Sequence, residues 1–326
     1  MNLFVCYTHL QLVIASRIIA HRNLLPDDVE LFYISKIDND VTKNTLQDMR
    51  EICGKVTFIH MKLKYPLYFP AIFRHFFKRR YDAVFVSSID NILIHFILSR
   101  VGFEHLYTFD DGSANIIPGS IYYQDPDVRL FIRIYRCILM IHYDILNVKQ
   151  RSQCHYTIYP QHKNIISNTI PINFTSISTG DEGNVESAGL KKSSCNVMIG
   201  AVYASLFGSE KNIRSNLNRC WSILKSEDRD TFYLPHPRER TDYTPNYINK
   251  INAKYIAEQE IIMLLKEYEY VYLYGFLSSC QINLAYHPKI VNRIFYSTAL
   301  SPAFNNAIKS QSYNSFEIID INEAEK

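Results

Sequence analysis

What the sequence lacks narrows its chemistry first. No two of the seven cysteines (6, 53, 137, 154, 195, 220 and 280) stand at the spacing of a zinc or redox motif, and their number is odd. A disulfide framework is excluded as the organising device, and free thiols in a reducing compartment are expected. No basic stretch precedes the apolar opening Leu3-Phe4-Val5-Cys6, so the pattern of a secretory leader is missing. The longest apolar stretch, 131–145, is broken by Arg133, Arg136 and His142, which argues against a spanning helix. Internal repeats and low-complexity tracts are absent, as is the glycine fingerprint that follows the first strand of dinucleotide binders. A net charge of +3 is too small for a general nucleic-acid binder, so no nucleic-acid partner is expected. The remaining expectation is a soluble cytoplasmic protein.

What is present is an ordinary globular balance, 47% hydrophobic and 21% charged, in 326 residues. That supports a sizeable core and exceeds the usual length of one domain, so two domains are expected. Residues 3–6, 29–34, 55–59, 81–88 and 104–109 read as strands, separated by helical spacing at 10–19, 41–53 and 91–100. Two prolines, Pro66 and Pro70, mark an irregular link into an aromatic and basic segment, 69–80. A helix is expected over 127–143, with Arg129, Arg133 and Arg136 on one face. From 173 to 195 the composition turns to Ser, Thr, Gly, Asp, Glu and Asn, the best linker in the chain. Beyond it, strands at 196–200, 231–234, 255–256, 270–274 and 289–296 alternate with helices. The reading is therefore an α/β chain: a first domain over 1–172, a linker over 173–195, and a second domain over 196–300. A tail, 301–326, is expected to pack back on the first domain. Strands alternating with helices imply mostly parallel sheets covered on both faces.

Functional groups in such sheets sit on the loops at the carboxyl ends of strands. Phe109-Asp110-Asp111-Gly112 is one such end, although Asp and Gly are also the commonest turn residues. His9 follows the first strand and fits a capping or packing role as well as a binding one. In the second domain, Pro235-His236-Pro237 holds an imidazole on a stiff loop after a strand. It can donate to a phosphate oxygen or protonate a leaving group, or be a structural loop histidine. Ser278-Ser279 lies between a strand and a helix, where hydroxyls and free backbone N–H groups form an anion site. Serine is equally the usual helix N-cap. Glu258 and Glu260 precede an apolar helix, where a carboxylate can take both hydroxyls of a ribose or simply favour the helix N-terminus.

Asp-Asp-Gly, then His-Pro, then a carboxylate and Ser-Ser, in that order, resembles the bacterial sialyltransferases, and most closely glycosyltransferase family 52. The opening Thr8-His9-Leu10-Gln11 is similar to that family's Thr-x-x-Gln turn. The resemblance covers about residues 1–300. It implies a GT-B fold, two Rossmann-like domains with the active site in the cleft between them. It further implies an inverting, metal-independent transfer of sialic acid from CMP-sialic acid, with no cofactor, to a terminal galactose of a lipooligosaccharide or O-antigen glycan, α2,3 being the commonest linkage. No Asp-x-Asp in a metal-binding context is present, in agreement. Asp111 is then the general base, with Glu210 its competitor, and Asp110 positions the turn or the acceptor beside Gly112. His236, Pro237, Ser278 and Ser279 serve the CMP phosphate, Glu260 the ribose, and Gly200 the underside of the nucleotide. The substrate class also implies work at the inner membrane, with the basic clusters 74–80 and 129–136 supplying peripheral contact, and the family includes homodimers. A GT-B transferase for another nucleotide sugar, or an inactive binding protein of polysaccharide assembly, are the alternatives.

Overall fold

The computed structural model describes residues 1–61, 68–117, 119–123, 130–173, 191–310 and 316–322. The chain forms two compact units, Met1–Phe174 and Thr175–Lys326. In the first, strands β1 (Asn2–Cys6), β2 (Val29–Ser35), β3 (Lys55–His60), β4 (Arg80–Val86), β5 (Gly102–Phe109), β6 (Ser152–Thr157) and β7 (Thr169–Pro171) form one parallel sheet. Their order is β3-β2-β1-β4-β5-β6-β7. Every residue of β2 is buried, as is β1 from its second residue on. A parallel strand with helices on both faces has no water-facing side, which is why these segments read as unbroken apolar runs. The chain steps outward from β1 to β2 and β3, then returns to β4 on the other side. The carboxyl ends of β1 and β4 therefore flank a topological switch point, where open α/β sheets bind ligands.

The second unit repeats the scheme with β8 (Lys192–Ile199), β9 (Asp230–Leu234), β10 (Asn249–Lys250), β11 (Tyr268–Gly275), β12 (Ile290–Tyr296) and β13 (Phe316–Asp320). Their order, β10-β9-β8-β11-β12-β13, is the Rossmann sequence 3-2-1-4-5-6 when counted from the unit's own first strand. Its switch point lies between β8 and β11. The lone tryptophan, Trp221, is buried on the helix Glu210–Ser226 and meets the ring of Tyr233 edge-on at 5.6 Å.

Several elements differ from the sequence reading. The aromatic and basic segment 69–80 contains a helix, Phe69–Phe76, in which Pro70 occupies the first turn, where its missing N–H costs nothing. The helix expected over 127–143 is described as Leu130–Ile138, and Arg129 lies outside the described residues. No strand forms at 255–256; Ile256 instead caps the helix Ala257–Leu264, and the edge strand is Asn249–Lys250. Of the expected linker, 174–190 lie outside the described residues, and β8 already starts at Lys192. There Lys192 and Ser194 pair with Tyr268 and Tyr270 of β11, so backbone pairing carries the strand through polar residues. Within the tail, residues 316–320 pair with β12 and satisfy that strand's free edge.

One buried charge anchors the first sheet. The Glu30 carboxylate accepts from Lys55 Nζ at 2.7 Å, His75 Nε2 at 3.0 Å, Arg79 at 3.0 Å and the Tyr81 hydroxyl at 3.0 Å. Burial pushes its pKa up, but the hydrogen bonds from His75 and Lys55 and the charges of Lys55 and Arg79 outweigh that and hold it at about 2. A carboxyl held low stabilises the fold above its unfolded value near 4.3, and loses that contribution as the pH falls through about 2. The difference is worth roughly 3 kcal/mol. Glu30→Gln should therefore lower the unfolding free energy at pH 7 by about that amount, with the gap closing below pH 4. Urea titrations followed by circular dichroism across this range check it. A variant as stable as its parent at pH 7 would show that the four donors gain nothing from the charge.

Candidate functional site

Strand β5 carries Phe109-Asp110-Asp111-Gly112 to the carboxyl edge of the first sheet, and there the two carboxylates part. Asp110 is fully buried. Its Oδ1 accepts from His155 Nε2 at 2.9 Å and Asn164 Nδ2 at 3.2 Å, and its Oδ2 from the Ile158 N–H at 2.7 Å. Asp110 thus ties the end of β5 to the end of β6, the turn-positioning half of what was expected of it. Gly112 has φ +94°, a conformation that any side chain would strain, and this turns the chain away immediately after Asp111.

Asp111 points the other way, into a cage of donors. Gln11 Nε2 donates to its Oδ1. The Ser88 hydroxyl donates to Oδ2 at 2.9 Å and the Tyr122 hydroxyl at 2.6 Å. Its backbone N–H donates to Asn115 Oδ1 at 2.8 Å, which closes the turn. Gln11 is fully buried and has no freedom: its Oε1 accepts the Tyr7 N–H at 2.6 Å, while Nε2 also reaches Ser88 Oγ at 2.9 Å. It stands in the first turn of the helix His9–His21, capped by Thr8, whose hydroxyl accepts the Gln11 N–H. Ser88 has φ +35°, a region where a residue with a Cβ is strained. Burial raises the Asp111 pKa above the usual carboxylate range, against the pull of Tyr122, Gln11 and Ser88, and the charge of Asp90 adds to the rise. The result is a basic carboxylate at the switch point of the sheet. His9 takes no part in this cage: its Nε2 meets Thr42 Oγ1 at 2.8 Å, packing the first helix on the second, and burial lowers its pKa.

In the second unit three adjacent strand ends carry the expected residues. β8 ends at Gly200, β9 runs into Pro235-His236-Pro237, and β11 into Ser278-Ser279. A Cβ on Gly200 would lie 2.6 Å from the His236 backbone N and 2.8 Å from Glu239 Oε2, so only glycine lets the His236 loop approach β8. Glu239 pins that loop: its carboxylate accepts from the Tyr233 hydroxyl and from the His236 N–H at 3.3 Å, and its own N–H donates to the His236 carbonyl at 2.8 Å. The Arg238 N–H donates to His236 Nδ1 at 3.0 Å. A nitrogen that accepts carries no proton, so the neutral ring holds its hydrogen on Nε2 and presents it as a donor. Burial, and then the charge of Arg238, lower the His236 pKa, which favours that neutral ring.

Ser278 caps the short helix Ser279–Asn283 in a reciprocal box with the buried Gln281, and Ser279 is exposed beside it. Leu277, just before them, has φ +57°, a second strained residue at a strand end. Glu260 Oε1 accepts the N–H groups of Lys254 and Tyr255 at 2.6 and 2.7 Å, which fixes a loop with one of its oxygens. Glu258 is buried against Asn283 Nδ2 at 2.7 Å, and burial raises its pKa. Glu210, the competitor for the role of base, is occupied on both oxygens, by Arg214 Nε at 2.8 Å and the Tyr243 hydroxyl at 2.7 Å. The basic face of the first unit is also thinner than expected. Arg79 is turned onto Glu30, and Arg136 donates to the Tyr143 carbonyl and faces His95.

Residues that sequence reasoning gave no role are those that hold the others in place. Gln11 was visible as the last position of the Thr-x-x-Gln turn and Ser88 as the end of a strand. Glu239 follows the His-Pro pair by two residues. Tyr122, His155 and Asn164 carried no signal, because their importance comes only from what the sheet sets beside them.

The chain has similar proteins of known activity and known fold. The sequence pattern of glycosyltransferase family 52 matches residues 31–303. The chain is 31% identical over 290 residues to the CMP-N-acetylneuraminate:beta-galactoside alpha-2,3-sialyltransferase of Pasteurella multocida, covering 87% of each chain. It is 27% identical over 317 residues to the N-acetyllactosaminide alpha-2,3-sialyltransferase of Haemophilus influenzae, covering 89% of this chain and 90% of that one. Among solved structures, the glycosyltransferase SnogD of Streptomyces nogalater superposes with a TM-score of 0.50 at 12% identity, over 90% of this chain and 81% of that one. That likeness shows the fold, a GT-B pairing of two Rossmann-like units.

The close approach at Gly200 yields a direct expectation. Gly200→Ala should force the His236 loop off β8 and cost about 1–3 kcal/mol, the usual penalty of overpacking. Denaturant titration measures it, and a change below about 0.5 kcal/mol would mean that the loop yields freely and is not held by β8.

Proposed function

The chain belongs to glycosyltransferase family 52, and on that premise we propose that it moves sialic acid from CMP-sialic acid to a terminal galactose of a surface glycan. The reading extends to an α2,3 linkage, an inverting and metal-independent reaction, and a lipooligosaccharide or O-antigen acceptor. The activity of the Pasteurella multocida relative supports the donor, and the activities of both relatives support the linkage. The observation that carries the mechanism is the caged, pKa-raised carboxylate of Asp111 at a strand-end switch point.

In this reading ionised Asp111 takes the proton of the galactose hydroxyl as its oxygen attacks the anomeric carbon of the sialyl group. The bond from that carbon to the phosphate oxygen breaks, and CMP leaves with the electron pair. General base action of this kind is typically worth about 100- to 10,000-fold. In the second unit, His236 Nε2–H and the hydroxyls of Ser278 and Ser279 donate to the departing phosphate, electrostatic help worth about several kcal/mol when water is excluded. Gly200 leaves room beneath the nucleotide, and Glu260, its carboxylate oriented by two backbone amides, takes the ribose. Peripheral contact with an anionic membrane is part of the proposal. Phe73, Phe77, Ile138 and Met140 are exposed, Arg100 stacks on Phe73 and donates to the Leu139 carbonyl, and Lys78 lies over Phe77. Arginine and lysine thus stand among apolar side chains, as at a lipid interface.

Purified protein given CMP-sialic acid and a β-galactoside should release CMP and form the α2,3-sialylated product, with EDTA present. CMP should also raise its melting temperature more than UDP or GDP does; a larger shift with UDP would favour a transferase for another nucleotide sugar. Asp111→Asn should cut transfer by about 100-fold or more and leave CMP affinity within about twofold. Asp111 must be ionised to act, so the rate should fall as the pH drops through its raised pKa. Tyr122→Phe removes a hydrogen bond to the ionised form and should move that acid limb upward by about half to one pH unit. An unmoved limb would transfer the role of base elsewhere. Co-sedimentation with vesicles should rise with their anionic lipid content, and indifference to lipid charge would remove the membrane contact.

A further inference from the structure

Beside the His236 loop the second unit opens a cavity of about 590 Å3, lined by Ala201, Tyr203, Pro237, Arg238, Arg240 and Tyr243 among others. The volume is in the range of small-molecule sites. What marks the cavity is its charge. Elsewhere in this unit Arg214, Arg229 and Arg293 each hold a carboxylate. Arg238 and Arg240 line the cavity with no ion-pair partner among the described residues. Glu239, which stands between them in sequence and also lines the cavity, forms an ion pair with neither: its carboxylate accepts from the Tyr233 hydroxyl and the His236 backbone N–H. Two exposed arginines without an ion-pair partner among the described residues, at the lining of a concave site that also includes Tyr203 and Tyr243, suit a carboxylate-bearing sugar.

We propose that this cavity seats the sialyl residue of the donor and that Arg238 and Arg240 bind its carboxylate, making them the residues that select an acidic sugar over a neutral hexose. The inference rests on the donor being CMP-sialic acid. The chemistry of that donor explains the location. Its anomeric carbon carries both the phosphate oxygen and the carboxylate, so the group that holds the carboxylate must adjoin the group that holds the phosphate. Arg238 does adjoin it: its backbone N–H is bonded to the His236 ring. A neutral hexose has no carboxylate at that carbon and would leave both guanidiniums unmatched, and a site built for a charged partner discriminates strongly against an analogue lacking it.

Calorimetry on the full chain tests this with three probes: CMP, the slowly reacting CMP-3-fluoro-sialic acid, and the methyl ester of the latter, in which the carboxylate charge is gone. For the parent protein the acid should bind more tightly than the ester by about tenfold or more, the scale of a charge-assisted hydrogen bond. Arg238→Gln with Arg240→Gln should erase that preference and leave CMP affinity within about threefold, while Lys at both positions restores part of it. Unchanged melting temperature and circular dichroism confirm that the variants fold. Equal weakening of all three probes would assign the arginines to the phosphate, and an acid preference that survives the double substitution would remove them from sugar recognition; either outcome overturns the proposal. CMP binding with no preference for acid over ester in the parent sinks this inference alone. Failure of the parent to bind CMP sinks the donor assignment as well.

Discussion

The first unit depends on one buried carboxamide. Gln11 follows β1, Ser88 follows β4 and Asp111 follows β5, and the Gln11 amide is bonded to both of the others. Neighbouring parallel strands stand only about 4.8 Å apart, so three of their ends can share one side chain. The amide has no second orientation, because the Tyr7 N–H requires the oxygen and the two acceptors require the nitrogen. This fixes the position of the Asp111 carboxylate from below while Tyr122 fixes it from the side. The price is visible in the backbone: Ser88 sits at φ +35° so that its hydroxyl can serve Gln11 and Asp111 together. Strain at a residue with a Cβ persists only when its surroundings over-determine it, and here they do.

The second unit also uses a buried carboxamide: Gln281 Nε2 donates to the Leu273 carbonyl of β11 at 3.2 Å and the Arg293 carbonyl of β12 at 3.0 Å, and its Oε1 accepts the Ser278 N–H. The His236 loop is held by other means, a missing side chain at Gly200 and a carboxylate at Glu239. Trp221 supports Tyr233, whose hydroxyl bonds Glu239, which in turn holds the His236 backbone. The imidazole is therefore placed through its main chain and one ring nitrogen. A neutral ring with a committed Nδ1 needs no protonation to donate from Nε2, so the role proposed for it would not depend on titrating first.

The sequence showed the alternation of strands and helices, and with it the parallel sheets, because buried parallel strands are apolar along their whole length and helices are not. It placed Asp111, His236 and Ser278 at strand ends for the same reason. It could not separate Asp110 from Asp111 by chemistry, since adjacent residues at the end of a strand project to opposite sides and the difference between them is what each side holds. One meets His155 and Asn164; the other meets Gln11, Ser88 and Tyr122. Those partners come from residues far apart in the chain, so no local pattern announces them. Short or half-polar strands such as β7, β10 and β13 were illegible because backbone pairing, with little help from apolar side chains, makes them. The arginine stripe failed in a similar way: helical spacing puts Arg133 and Arg136 near one another, yet Arg136 turns inward to satisfy the Tyr143 carbonyl.

The electrostatic division between the two units follows from these local choices. Around Asp111 burial and the nearby Asp90 make negative charge costly, while three hydrogen bonds keep the cost from becoming prohibitive. A carboxylate in that balance is a stronger base than one in water. The His236 region is the reverse, with a ring N–H and two guanidiniums that have no ion-pair partner among the described residues. In the proposed reaction the two environments have opposite tasks, one taking a proton and the other steadying a phosphate that gains charge. Positive groups lower the pKa of a carboxylate beside them, so a carboxylate placed among the donors of the His236 loop would be a weaker base than Asp111 is in its buried cage.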